Sequence, residues 1–211
     1  MTIPRYTKRA HFMPYWYGDS LWAIDEAKAK HYRYIDQNGR VLKNGVAVVA
    51  HWGRPWQDGY RYYWTGKKDR KGREIRRPWR NAKALTDNMT WAQYSRLRMT
   101  LHEDKSRKSR KKPTSYSQHV KYAKARGIII TYELKGSRGF ESPAMARAMY
   151  RVMVNYNTTV YIMTLQNIPR WNMRLKNMHD VGFETALLPR GKQPRVWPLP
   201  YVDRVWGRFQ K

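Results

Sequence analysis

The chain has 211 residues, 43 Lys and Arg against 15 Asp and Glu, a formal net charge of +28 at pH 7, and no cysteine. A disulfide framework, a thiolate nucleophile and a Cys-ligated zinc site are therefore excluded. No stretch reaches 18 apolar residues and the first residues carry no apolar signal region, so neither a spanning helix nor a secretory signal is expected, and the protein is placed in the cytoplasm.

Thirty aromatic residues (10 Trp, 16 Tyr and 4 Phe) supply apolar surface that can offset chain entropy, so a folded chain is expected. The length suits one domain, residues 1–211. In chain order, Ser20 through Lys30 reads as a helix capped by Ser20, with Leu21, Ile24 and Lys28 on one face. Residues 31–36 alternate as a strand. Gln37-Asn38-Gly39-Arg40 reads as a turn, and Val41-Leu42 with Val46–His51 continues an antiparallel meander. Tyr60, Tyr62 and Trp64 alternate with Arg61 and Tyr63 as a further strand.

A basic insertion follows, residues 67–126. Its first part, 67–83, has nine cations against Asp69 and Glu74. Thr90–His102 reads as a helix, with a Thr90/Gln93 capping box and a stripe of Trp91, Tyr94, Leu97 and Leu101. Residues 105–112 hold six cations in eight positions. Ser115–Arg126 reads as a helix stopped by Gly127.

The last half alternates. Gly127–Leu134 is a strand, Lys135–Glu141 a basic Gly-containing loop, and Ser142-Pro143 opens a helix to about Tyr156 with Met145, Met149, Val152 and Met153 on its apolar face. Thr158–Leu165 is a strand, Pro169–Asp180 a helix and 182–188 a strand. Residues 189–211 form an extended basic tail. The expected fold is α/β or α+β, with a mixed central sheet, antiparallel strands at the front and a β-α-β-α-β half at the back.

The charge calls for a polyanionic partner, and nucleic acid, DNA rather than RNA, suits it better than a membrane surface. The interleaved aromatic and basic residues Trp52, Arg54, Trp56 and Tyr60 can stack bases. Arg76, Arg77, Arg80, Lys108, Arg110, Lys111 and Lys112 can neutralise phosphates. The six His residues show no HxH or HExxH spacing, so no metal site is expected.

The loop after Leu134 is the second candidate site. Gly136 and Gly139 would let backbone N–H groups converge, the helix beyond Ser142 presents a positive dipole end, and Lys135 and Arg138 add charge, an arrangement able to hold a phosphate or pyrophosphate. The alternative is a structural turn.

The succession Glu133, Arg138-Gly139, helix, strand 158–165, Asn167, helix and Gly182-Phe183 resembles the second half of GNAT-type N-acyltransferases, over residues 127–188. The resemblance implies acetyl-CoA or a related acyl-CoA held by Lys135, Gly136, Arg138, Gly139, Ser142 and Asn167, with Glu133 as general base. Joined to the basic surfaces, it implies an acyltransferase acting on nucleic acid or on a substrate carried by it, such as the phage DNA-modifying (Mom-like) kind. Glu141 and Met178 stand where that family has other residues. They favour the alternative, a non-enzymatic nucleic-acid-binding protein of packaging, virion-internal or ribosome-associated type.

Overall fold

A computed structural model describes residues 20–99, 112–164, 169–187 and 204–205. Helix α1 (Leu21–Ala29) starts where the sequence predicts, with the Ser20 side chain accepting from the Ala23 amide. Its buried Ala23, Ile24 and Ala27 pack on the first strand, β1 (Tyr34–Val41).

Strand β1 runs straight through the expected turn. Residues Ile35 to Gly39 are all buried, so both faces of the strand are covered, as in the interior of a parallel sheet. The Asn38-Gly39 pair resembles a turn signal because both residues tolerate positive φ. Here Gly39 is extended, and it is small because the Tyr132 ring lies over the strand where a Cβ would stand. The turn falls instead at Asn44-Gly45, with Gly45 at φ 75°, and leads into the short antiparallel β2 (Ala47–Val49).

The chain then leaves the main sheet. Strands β3 (Tyr60–Lys68), β4 (Glu74–Pro78) and β5 (Leu97–Met99) form a separate antiparallel sheet in the order β4-β3-β5. The helix expected over Thr90–His102 is shorter. Its capping box forms, but α2 spans Trp91–Tyr94 alone. Leu97 and Arg98 instead pair with Tyr63 and Tyr62 of β3. Leu97 is 1% exposed among Leu42, Val48, Ala50, Tyr60 and Tyr94, so burial in a strand overrides the helical spacing of its neighbours.

Helix α3 (Tyr116–Lys124) returns the chain to the main sheet, capped by Ser115 and ended by Gly127 at φ 68°. Strand β6 (Ile129–Leu134), helix α4 (Pro143–Asn155), strand β7 (Val160–Thr164), helix α5 (Pro169–Asp180) and strand β8 (Thr185–Leu187) then alternate as expected. A further strand, β9 (Arg204–Val205), places part of the expected tail in the sheet. The order is β2-β1-β6-β7-β8-β9. All neighbours from β1 to β9 are parallel and β1–β2 is antiparallel, so the main sheet is mixed as expected; the front strands β2 to β5 pair antiparallel, and the one departure is β1, which joins β6 in parallel. Alternation within a strand cannot report which distant strand it pairs with, and β1 joins β6 across the whole excursion.

One face of this sheet carries Ile35, Ile130, Tyr132, Leu134, Val160 and Ile162 against the buried sides of α1, α3, α4 and α5. Met149 is 2% exposed there. The strand period of two therefore sends Asp36, Asn38, Thr131, Glu133 and Met163 to the other face. No helix among the described residues is long and apolar enough to cross a membrane.

Candidate functional site

Ligands of parallel α/β sheets meet the carboxyl ends of the strands. At those ends Asn38 of β1 stands in register with Glu133 of β6, and Asp36 with Thr131. Asp36, Asn38 and Glu133 are all buried. Lys135 continues the ladder, its amide donating to the Gly39 carbonyl at 3.0 Å. Its ammonium donates to Glu133 Oε1 at 2.6 Å.

Arg40, two residues beyond Asn38, reaches the same end. Its guanidinium lies 3.4 Å from Asp87 Oδ1 and backs onto Gly53, where an added Cβ would approach it to 3.5 Å. Asp87 comes from the short 3-10 turn Thr86–Asn88 between β4 and α2. The cluster therefore has two cations, three carboxylates and one amide from three separated segments. Glu133 and Lys135 are among the residues expected from the sequence; Asp36, Asn38, Arg40 and Asp87 are not. The available signal was a polar pair at positions i and i+2 inside each of two otherwise buried strands.

Glu133 does not lie on a splayed strand, because β6 is paired on both sides. The loop that follows is built as a buttress. Ser137 is fully buried, accepts from the Val41 amide at 2.9 Å and donates to Asp87 Oδ2 at 2.7 Å. Arg138–Glu141 is a 3-10 turn whose Phe140 enters the core. A Cβ on Gly139 would collide with Val41. The Phe140 and Ser142 amides are bonded to the Ser137 and Gly139 carbonyls rather than aimed at a common point. Glu141 is held by Arg174 at 2.7 Å, which accounts for an acid in this loop. The Ser142 side chain makes no capping bond. Arg138 and Gly136 are exposed, and Asn167 lies outside the described residues. The expected convergence of amides is therefore corrected: of the chosen positions Gly139 packs on Val41 and Gly136 faces open space, while Ser137, not among those chosen, ties the loop to β1 and the 86–88 turn.

The residues chosen for nucleic-acid contact scatter more widely. Trp52 is 46% exposed, edge-on to His51, and Arg54, Arg77 and Arg80 are exposed. Trp56 has the Arg61 guanidinium 3.9 Å from its ring centroid. Tyr60 is 3% exposed and edge-on to Tyr94, so its ring offers no face to a base. Arg76 and Lys112 bind Glu74 at 3.0 and 2.8 Å, together with Arg98. That network gathers three cations on one carboxylate and stays net positive. Lys108, Arg110 and Lys111 lie outside the described residues.

A divalent metal often assists phosphoryl chemistry, and it needs several hard oxygen donors at one point. Among the described residues no group of three or more His, Cys, Asp and Glu is placed to hold one. At the strand ends the Lys135 ammonium already neutralises Glu133. The described residues do not fit a resident metal.

No family model and no curated protein matches the chain. Solved structures do. A glycerophosphodiester phosphodiesterase described as putative, from Galdieria sulphuraria, superposes with a TM-score of 0.56 at 13% identity, covering 80% of this chain and 57% of that one. One from Agrobacterium tumefaciens gives 0.54 at 11%, covering 81% and 60%. An Oleispira antarctica phosphodiesterase in complex with the product sn-glycerol-3-phosphate gives 0.58 at 12%, covering 85% and 64%. The chain thus spans less than two thirds of the length of these structures, and the likeness is one of fold.

That likeness corrects the acyltransferase reading. The three solved structures named above are phosphodiesterases and not N-acyltransferases, so GNAT membership, an acyl-CoA cofactor and acyl transfer to nucleic acid, which rested on that resemblance, fall together. The non-enzymatic alternative finds no support in a fold shared with enzymes.

Proposed function

We propose that the protein hydrolyses phosphodiesters and that its substrates are nucleic acids. The observation that carries the reading is the Lys135–Glu133 pair beside Asn38 at the carboxyl ends of two adjacent parallel strands, in a fold shared with phosphodiesterases. A phosphodiester brought there meets Lys135 and Arg40, which can take the charge on its non-bridging oxygens. Lys135 then turns from Glu133 to the phosphate, and Glu133 is released to accept a proton from an attacking water. The new P–O bond forms as the ester P–O bond breaks, and the departing alkoxide takes a proton from solvent. The +28 charge favours a polyanionic diester over a small one.

The test is hydrolysis of bis(p-nitrophenyl) phosphate and of end-labelled oligonucleotides by the purified chain. Glu133→Gln should slow cleavage by about 10²–10⁴-fold while oligonucleotide binding is kept. Absence of hydrolysis of either substrate, or full activity in Glu133→Gln, overturns the proposal.

A further inference from the structure

The second sheet carries a cavity of about 810 Å³ that belongs to no residue chosen above. Its volume suits a ligand of nucleotide size. Tyr63 of β3, Trp79 and Leu97 of β5 give it an aromatic and apolar floor, and Trp79 and Tyr63 are partly buried against the inner cluster. Lys83, Asn88 and Arg96 stand exposed on its wall. Among the described residues no carboxylate pairs with Lys83 or Arg96, in contrast to the Glu74-bound cations on the same sheet.

The cavity also has a fixed relation to the strand ends. Leu85, Asn88 and Met89 line it, while Asp87, within the same turn, holds Arg40 and Ser137. A chain seated in the cavity therefore lies one short turn from the proposed phosphodiester site.

We infer that this cavity takes an unpaired base of single-stranded nucleic acid, stacked on Trp79 or Tyr63, with its flanking phosphates on Lys83 and Arg96. Stacking needs a free π face, which a duplex withholds, and two unpaired cations suit the phosphates on either side of one nucleotide. The inference deepens the proposed function and rests on its choice of nucleic acid as substrate class.

Fluorescence anisotropy with labelled dT12 and a 12-base-pair duplex, at several salt concentrations, tests it. Wild type should bind dT12 more tightly than the duplex. Trp79→Ala should weaken dT12 binding roughly ten- to hundredfold, and Trp79→Phe should restore most of it. Lys83→Gln with Arg96→Gln, both on the exposed wall, should reduce the salt slope by about 1.4, the value of two single-strand phosphate contacts. If Trp79→Ala does not fold, that double variant and Trp79→Phe decide the matter. Duplex preference, or wild-type dT12 binding by folded Trp79→Ala and by the double variant, overturns the inference. Hydrolysis separates the two readings. Cleavage with unchanged binding by these variants sinks the cavity alone; lost binding by the variants of a protein that cleaves nothing sinks the chemistry alone.

Discussion

Ser137 Oγ donates to Asp87 Oδ2 at 2.7 Å, across fifty residues of sequence. Ser137 belongs to the loop after β6 and Asp87 to the turn of the second sheet, so this contact fastens the excursion onto the carboxyl ends of the main sheet's strands. Arg40 on the same carboxylate makes it a three-way junction. The second sheet is thereby a fixed wall of the site, and the orientation of Arg40 depends on it.

Removing the hydroxyl tests this fastening. Ser137→Ala leaves the buried Val41 amide without its acceptor and takes from Asp87 one of its two donors, Arg40 being the other. A cost of about 1–3 kcal/mol is expected, read from the urea midpoint. A larger KM for phosphodiester cleavage should accompany it as Arg40 loses its anchor. A loss below about 0.5 kcal/mol would mean that the junction is incidental.

The Lys135–Glu133 pair yields a double-mutant cycle. Both side chains are largely buried, with relative exposures of 12% and 5%. Lys135→Met takes the ammonium from a buried carboxylate and should destabilise by up to about 3–5 kcal/mol, whereas Lys135→Met with Glu133→Gln should recover most of that. Chemical denaturation of the four proteins measures the coupling. Additive losses would place the two charges in separate solvated environments, contrary to the geometry.

Much of the fold was legible because its signals are local. Ser20 caps α1, Ser115 and Gln118 box α3, Gly127 stops it, and Ser142-Pro143 opens α4, each within four residues of the element it defines. The misreadings share a different cause. Gly39 is small because of Tyr132, ninety-three positions away, and nothing near it in the chain says so. Leu97 fits a helical stripe on its own, and its strand depends on Tyr63. The site is of this second kind: Glu133 and Lys135 could be picked out from a loop pattern, but Asn38, Arg40 and Asp87 join them only through a parallel crossover and a turn in another sheet. The loop pattern itself misled, because glycine and serine that pack a buttress carry the same signature as those that cradle a phosphate.

Glu74 anchors the second sheet. Its carboxylate receives Arg98 Nε and a second Arg98 nitrogen, each at 2.8 Å, and Arg98 is 2% exposed. Arg98, first, and Lys112 hold the Glu74 carboxyl well below the usual carboxylate range, against a smaller opposing push from burial. A carboxyl depressed in the folded state stabilises above its unfolded value of about 4.5, and the gain is lost as pH falls below it. Glu74→Gln should therefore cost stability at pH 7, near the lower end of about 3–5 kcal/mol because the group is partly exposed. The variant should lose less than wild type between pH 5 and 3. Hydrogen exchange localised to β3 and β5 checks both, and equal acid sensitivity in the two proteins would remove Glu74 from the account.

His119 sets the milder acid limit. It lies on α3 with 1% exposure, its Nδ1 3.1 Å from Thr114 Oγ1, and among the described residues Nε2 has no hydrogen-bond partner. Burial pushes the imidazole down to about 3. The folded state thus refuses a proton that the unfolded chain accepts near 6.5, and stability rises with pH wherever the unfolded state binds more protons. The contribution is complete above about pH 6.5 and is lost as pH falls towards 3. Between pH 6.5 and 4.5 the loss should reach about 2 kcal/mol, most of it above pH 5, where Glu74 is still largely ionised in the unfolded chain. His119→Gln, which cannot gain a charge, should start less stable at pH 7 but flatten this part of the profile. Urea midpoints at pH 7, 6, 5 and 4.5 for the two proteins measure it. Parallel profiles would show that some other group carries the acid sensitivity and that His119 is reached by water.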